Sequence, residues 1–269
     1  MSSQIVQQNG DSMSDENAAY GGFPIGIQSY TLRKFPVDRV IEIVHTDLGL
    51  SAIEFYGPPH LPITASDELI NHVKDATSVV GIKLTSHGVD AFTKNHDANE
   101  KIFEFAKKVG LKNITADPSE DSFDSLDKLV GQYDIRIAIH NHGPNTRYDK
   151  IANVLNAIKD RDPRIGACAD LGHYIRSGED PVKAITLFKG RLYGVHLKDF
   201  AEQTAKAKGV ILGQGHLDLN GVFTALRTVK FPMDGALSLE YEENADDPIA
   251  DVQQCLAAAA DAAQKTAKS

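Results

Sequence analysis

Eight short runs of β-forming residues, at 25–29, 52–56, 83–87, 113–117, 136–140, 165–169, 192–196 and 236–240, alternate with stretches of helical periodicity. Their starts lie 27, 31, 30, 23, 29, 27 and 44 residues apart. That is the spacing of a strand, a crossover helix and two short loops, the unit that joins parallel strands. Eight such units with right-handed crossovers close into a ring, whereas an open doubly wound sheet more often has five or six strands. No GxGxxG follows the first strand, where a dinucleotide-binding sheet would carry it. The pattern therefore predicts an α/β fold, a closed (β/α)8 TIM barrel, as one catalytic domain over residues 23–269. The last interval, longer than the rest, predicts an extended loop over 199–219 on the face where such barrels carry their chemistry.

The helical stretches carry their own punctuation. Pro36 presets the first turn before Val37, Val40, Ile41 and Val44, which recur at 3- and 4-residue steps and share one face. Ser66 precedes a run whose acidic first turn suits the helix dipole, and Gly110 ends the run 99–109 as a left-handed cap. Residues 1–22 are polar and lack the apolar stretch of a secretory signal, so they are expected to form a disordered leader. No window reaches 18 consecutive apolar residues, which predicts no membrane span and a cytoplasmic location. Cys168 and Cys255, the only cysteines, form neither a CxxC nor a disulfide framework. With 28 Lys and Arg against 37 Asp and Glu, the net charge is −9, and no basic run offers a nucleic-acid surface.

In a barrel the C-terminal strand ends converge, so their polar residues are the place to look for function. Five of the ten histidines (His87, His140, His142, His173 and His196) fall at or just beyond a strand end, with Glu54, Asp170, Lys198 and Glu240. Taken singly, each reads as a hydrogen-bonded rim residue. Taken together, strand after strand ends in a carboxylate or an imidazole, and such groups are costly to bury together unless paired or bound to a metal. Strands 5 to 8 supply His140, Asp170, His196 and Glu240, four donors suited to one divalent ion. His142 and His173 lie two and three residues past their neighbouring ligands and are expected to orient substrate, with a loop-fixing hydrogen bond as the alternative for His142.

The segments IGIQSYTLRKFP, IEFYGPPHLP, GIKLTSHG, IAIHNHG, ADLGH, GVHLKDF, GQGHLDL and LSLEYE, in this order, resemble the sugar phosphate isomerase/epimerase family with its xylose-isomerase-like barrel. The resemblance runs from about Ile25 to Ala263 and is nearest to members acting on keto-sugars such as 3-keto-glycosides and inososes. It implies one divalent metal ion (Mn, Co, Zn or Mg) on Asp170, His196 and Glu240, a small-molecule carbohydrate substrate, and room for a homodimer through the exposed loops. At strand 5 the sequence departs from the pattern, because His140 stands where many epimerases have a glutamate. A metal-bound imidazole has already donated its basic lone pair, so Glu240 is left as the inner carboxylate base. The expected chemistry removes one proton alpha to a sugar carbonyl through an enediolate, with His142, Glu54 or His87 as the acid and Arg33, His173 and Lys198 binding substrate. Isomerisation fits this, and so does β-elimination by a lyase or dehydratase. A barrel that binds sugar without catalysis is the reading outside enzymology, and an endonuclease for abasic DNA conflicts with the acidic charge.

Overall fold

A computed structural model describes residues 18–268. Eight parallel strands close the ring: β1 Ile25–Gln28, β2 Ala52–Phe55, β3 Lys83–Phe92, β4 Asn113–Pro118, β5 Arg136–His140, β6 Ile165–Asp170, β7 Leu192–Leu197 and β8 Ala236–Leu239, with β8 paired to β1. Strands β1, β2, β6 and β8 are buried along their whole length. Helices cover their outer faces and side chains fill the inside, which is why these runs are apolar without strict alternation.

The surrounding helices are α1 Val37–Glu42, continued by a π turn over Ile43–Asp47, then α2 Asp67–Val79, α3 His96–Val109, α4 Phe123–Tyr133, α5 Ile151–Ile158, α6 Leu171–Arg176, α7 Pro181–Leu187, α8 Leu219–Val229 and α9 Ile249–Ala267. Ser66 caps α2 by accepting from the Leu69 N–H, and Gly110 ends α3 at φ 92°. No helix among the described residues is long and apolar enough to cross a membrane.

Two features differ from the sequence expectation. Strand β3 continues five residues past His87, pairing Asp90, Ala91 and Phe92 with Ala116, Asp117 and Pro118 of β4. Gly88 permits this, because a Cβ there would lie 2.2 Å from the Thr115 carbonyl oxygen. Helix α6 starts directly after β6, capped by Asp170, whose Oδ1 accepts the His173 N–H at 2.7 Å. Most of the expected leader, residues 1–17, lies outside the described residues. Its last part is tied down, the carbonyls of Ala19 and Gly21 accepting from Gln264 of α9 and Arg227 of α8.

Candidate metal centre and substrate pocket

Strands β5 to β8 stand side by side, and each delivers one donor at its C-terminal end. One ligand atom from each of His140, Asp170, His196 and Glu240 lies within 4.8 Å of the others, and all four residues are buried. His196 Nδ1 is 2.9 Å from Glu240 Oε2 and 3.8 Å from Asp170 Oδ2, and His140 Nε2 is 3.0 Å from His196 Nδ1. Asp170 Oδ2 and Glu240 Oε2 have no hydrogen bond of normal geometry, although Lys198 Nζ stands 3.0 and 2.9 Å from them. Two imidazole nitrogens and two carboxylate oxygens aimed at one buried point fit a divalent ion of the Mn, Co or Zn type.

Charge states follow from the surroundings. Burial pushes the carboxyls of Asp170 and Glu240 up, but His173 and Lys198 beside Asp170, and Lys198 and His196 beside Glu240, outweigh it and hold both below the usual carboxylate range. Burial pushes the His140 imidazole down to about 4, leaving it neutral with a lone pair to donate. At His196 burial is overcome by Cys168, Glu54 and Glu240, which raise it well above the ordinary imidazole value. It must therefore lose a proton to serve as a ligand.

The centre has a supporting shell. Glu54, fully buried on β2, accepts from Thr115 Oγ1 at 2.5 Å and Ser238 Oγ at 2.8 Å, and its Oε2 lies 3.1 Å from His196 Nε2. A carboxylate behind a ligating histidine fixes the ring and directs its other nitrogen to the metal. Asn141 clamps the Asp170 backbone, Nδ2 donating to its carbonyl at 2.9 Å and Oδ1 accepting its N–H at 2.8 Å. The Asp170 cap on α6 then occupies Oδ1 and leaves Oδ2 for the centre.

Against two of these residues, His140 and Glu240, opens a pocket of about 440 Å³, whose further lining includes Gln28, Tyr30, Tyr56, His142, His173 and Lys198. Burial, with Lys198 nearby, pushes the His173 imidazole down to about 3 against the pull of Asp170, so it is neutral. Its buried Nδ1 has no hydrogen-bond partner. His142 stands edge-on to His140 at 4.6 Å between ring centroids, and among the described residues it has no hydrogen-bond partner that would fix the loop. Tyr30 and Tyr56 meet edge to face at 4.9 Å. Ser29 holds this pair, its oxygen accepting the Tyr56 N–H at 2.7 Å and lying 2.8 Å from His60 Nδ1.

Three expected site residues stand elsewhere. Glu54 lies beneath His196, with both oxygens engaged and no opening to the pocket. His87 is buried with Nδ1 2.7 Å from Asp90 Oδ2 and Nε2 2.8 Å from the Leu61 carbonyl, so neither nitrogen is free to act as an acid. Arg33 donates to the carbonyls of Tyr30 and Glu242 and stacks 4.5 Å over the Tyr30 ring, bracing the pocket wall from behind. Lys198 does line the pocket, but as a buried ammonium 2.6 to 3.0 Å from Asp170, Glu240 and Glu242. Sequence reasoning passed over Asn141 and over the role of Asp199, and it named Ser29 only as a polar strand end. For Asn141 the signal was its place between two histidines of an HNH run.

Residues 45–259 match the model of the xylose isomerase-like TIM barrel family. This chain belongs to that family. Over 127 residues it is 28% identical to a 3-oxo-isoapionate decarboxylase of Pectobacterium atrosepticum, covering 44% of this chain and 45% of that protein. Over 135 residues it is 27% identical to an inosose dehydratase of Clostridium botulinum, covering 44% of each. The chain thus spans under half the length of the curated relatives it matches. Among solved structures, an uncharacterised protein of Parabacteroides distasonis superposes with a TM-score of 0.67 at 28% identity, covering 87% of this chain and 96% of that one.

Proposed function

We propose that this chain is a divalent-metal-dependent enzyme that removes a proton alpha to the carbonyl of an unphosphorylated keto-sugar. The convergence of His140, Asp170, His196 and Glu240 on one buried point beneath an open pocket carries this reading. A divalent ion held there supplies Lewis acidity that polarises the sugar carbonyl. Glu240 takes the alpha proton, the carbonyl oxygen gains the charge of an enediolate, and the Lys198 ammonium beside the same carboxylates helps to balance that charge. His142 lines the same pocket and handles the proton away from the carboxylate base, and the neutral His173 orients substrate. Returning the proton to the neighbouring carbon gives isomerisation. Expelling a β-oxygen that takes a proton from His142 gives elimination, which the likeness to an inosose dehydratase favours as the second reading.

The test is NMR in D₂O on the metal-loaded protein with a panel of keto-sugars, 3-keto-glycosides and aldoses. Deuterium alpha to the carbonyl, abolished by chelation and restored by metal, is the expected result, and aglycone or water loss marks elimination. Stoichiometric metal with no exchange on any sugar would replace this reading by a sugar-binding barrel without catalysis.

A further inference from the structure

The pocket wall that follows β1 and β2 rests on a buried histidine. His60 closes the turn Gly57–His60 after β2. Its Nε2 lies 3.2 Å from the Phe35 carbonyl, which can only accept, so Nε2 carries the ring proton. Burial pushes the imidazole below its ordinary value, against the Phe35 and Leu32 carbonyls, and keeps it neutral. Nδ1 is therefore an acceptor, and the Ser29 hydroxyl 2.8 Å away donates to it. The same oxygen accepts the Tyr56 N–H at 2.7 Å. A directed relay thus runs from Tyr56 through Ser29 and His60 to Phe35, joining the segment after β2 to the segment after β1.

The two tyrosines of this wall are held unequally. Gln28 Oε1 accepts the Tyr30 N–H at 3.1 Å, and Arg33 donates to the Tyr30 carbonyl at 3.0 Å and lies 4.5 Å over its ring. Tyr56 begins the turn, and among the described residues its N–H has Ser29 Oγ as its one acceptor. Its ring meets that of Tyr30 edge to face at 4.9 Å, and both line the pocket. A slip at Tyr56 therefore changes the surface that a ligand meets and leaves the four metal donors where they stand.

We infer that His60 is the positioning residue of this wall: through Ser29 it sets where Tyr56 stands, and so how tightly the pocket holds its substrate, with no part in the chemical step. The consequence for substrate rests on the sugar reading of the pocket, and the placement of Tyr56 does not.

The test labels the full, metal-loaded chain with fluorotyrosine. Its eight tyrosines give eight fluorine resonances, and Tyr30→Phe and Tyr56→Phe assign the two that matter. Two variants divide the relay. His60→Asn brings an amide oxygen to the reach of Nδ1 and keeps the Ser29 bond, whereas His60→Gln brings an amide N–H to the reach of Nε2 and keeps the Phe35 bond. Asparagine leaves the larger void, so lost packing alone would make it the worse of the two. The relay predicts the reverse. His60→Gln shifts the Tyr56 resonance, raises KM for alpha-proton exchange on the same keto-sugars about tenfold and changes kcat by less than about twofold, while His60→Asn stays near wild type in all three. Ser29→Ala breaks the relay at its middle, reproduces His60→Gln, and serves if that variant does not fold. The two changes together are no worse than Ser29→Ala alone. Asparagine as damaging as glutamine, shifts spread over all eight resonances, an unmoved Tyr56, an unchanged KM or a fallen kcat overturns the inference and leaves the sugar reading intact. If no sugar exchanges on the wild-type protein, the sugar reading falls, and the fluorine resonances alone decide whether His60 places Tyr56.

Discussion

His196 is held from two sides, by Glu54 at Nε2 and by the other three ligand residues at Nδ1. Glu54→Gln keeps the shape and removes the charge, so metal affinity is expected to fall by about 10–100-fold while the fold survives, as read by competition with a chelating dye. The sequence suggested Glu54 as an acid but could not show that both its oxygens are engaged out of reach of the pocket, because a strand end in sequence does not say how deep in the barrel a side chain stops. Its bonds to Thr115, Ser238 and His196, with the side chain fully buried, place it beneath the ligand layer. His87 teaches the same lesson through Asp90, three residues on, which lies beyond the strand end that the sequence suggested. Burial lowers the His87 imidazole, but Asp90 and the Leu61 carbonyl outweigh it, and the group is raised above its ordinary value. A raised imidazole contributes stability that is fully present below its unfolded value of about 6.5 and is lost as pH rises through the folded one. Urea unfolding from pH 6 upward should therefore show a declining limb that His87→Gln flattens.

At the scale of elements, a single carboxylate organises the longest loop. Asp199→Ala leaves four backbone N–H groups without their acceptor, those of Phe200, Gly213, Gly215 and Leu217, while His216 keeps the Phe200 carbonyl. A loss of at least ~2 kcal/mol is expected in denaturant unfolding, with new proteolytic cleavage between 200 and 217. The extended loop was legible from the interval before the last strand, but its anchor was not, since Asp199 in the run HLKDF looks like any rim acid. The strands were read almost to the residue because buried parallel strands announce themselves as apolar runs. β3 was read short because Gly88 looks like a terminator, when its lack of a side chain is what lets the strand pass Thr115. Helix α6 escaped because its cap, Asp170, was assigned wholly to the metal, whereas its two oxygens divide the work.

For the whole molecule, the proposed metal site predicts that metal binding and folding are linked. Excess Mn, Co or Zn is expected to raise the melting temperature, by an amount equivalent to about 2.7 kcal/mol at a hundredfold excess over Kd, and chelation should reverse it. The gain should grow as pH rises, because His196 surrenders a proton to become a ligand. Differential scanning fluorimetry across pH 5 to 8 with and without chelator checks both the shift and its sign. The ring itself was legible from eight evenly spaced strands, and so were the four donors. What the spacing could not convey was which polar residues lie in the layer below. The four donors all come from the second half of the ring, β5 to β8, while Gln28, Tyr30, Tyr56 and Val89 of the facing wall come from the first. The candidate ligands are thus encoded in one stretch of the chain and the facing wall in another, while His142, His173 and Lys198 line the pocket from the ligand side. A chimaera that keeps residues 136–240 and borrows its first three βα units from another family member is expected to keep the four candidate ligands and change the facing wall.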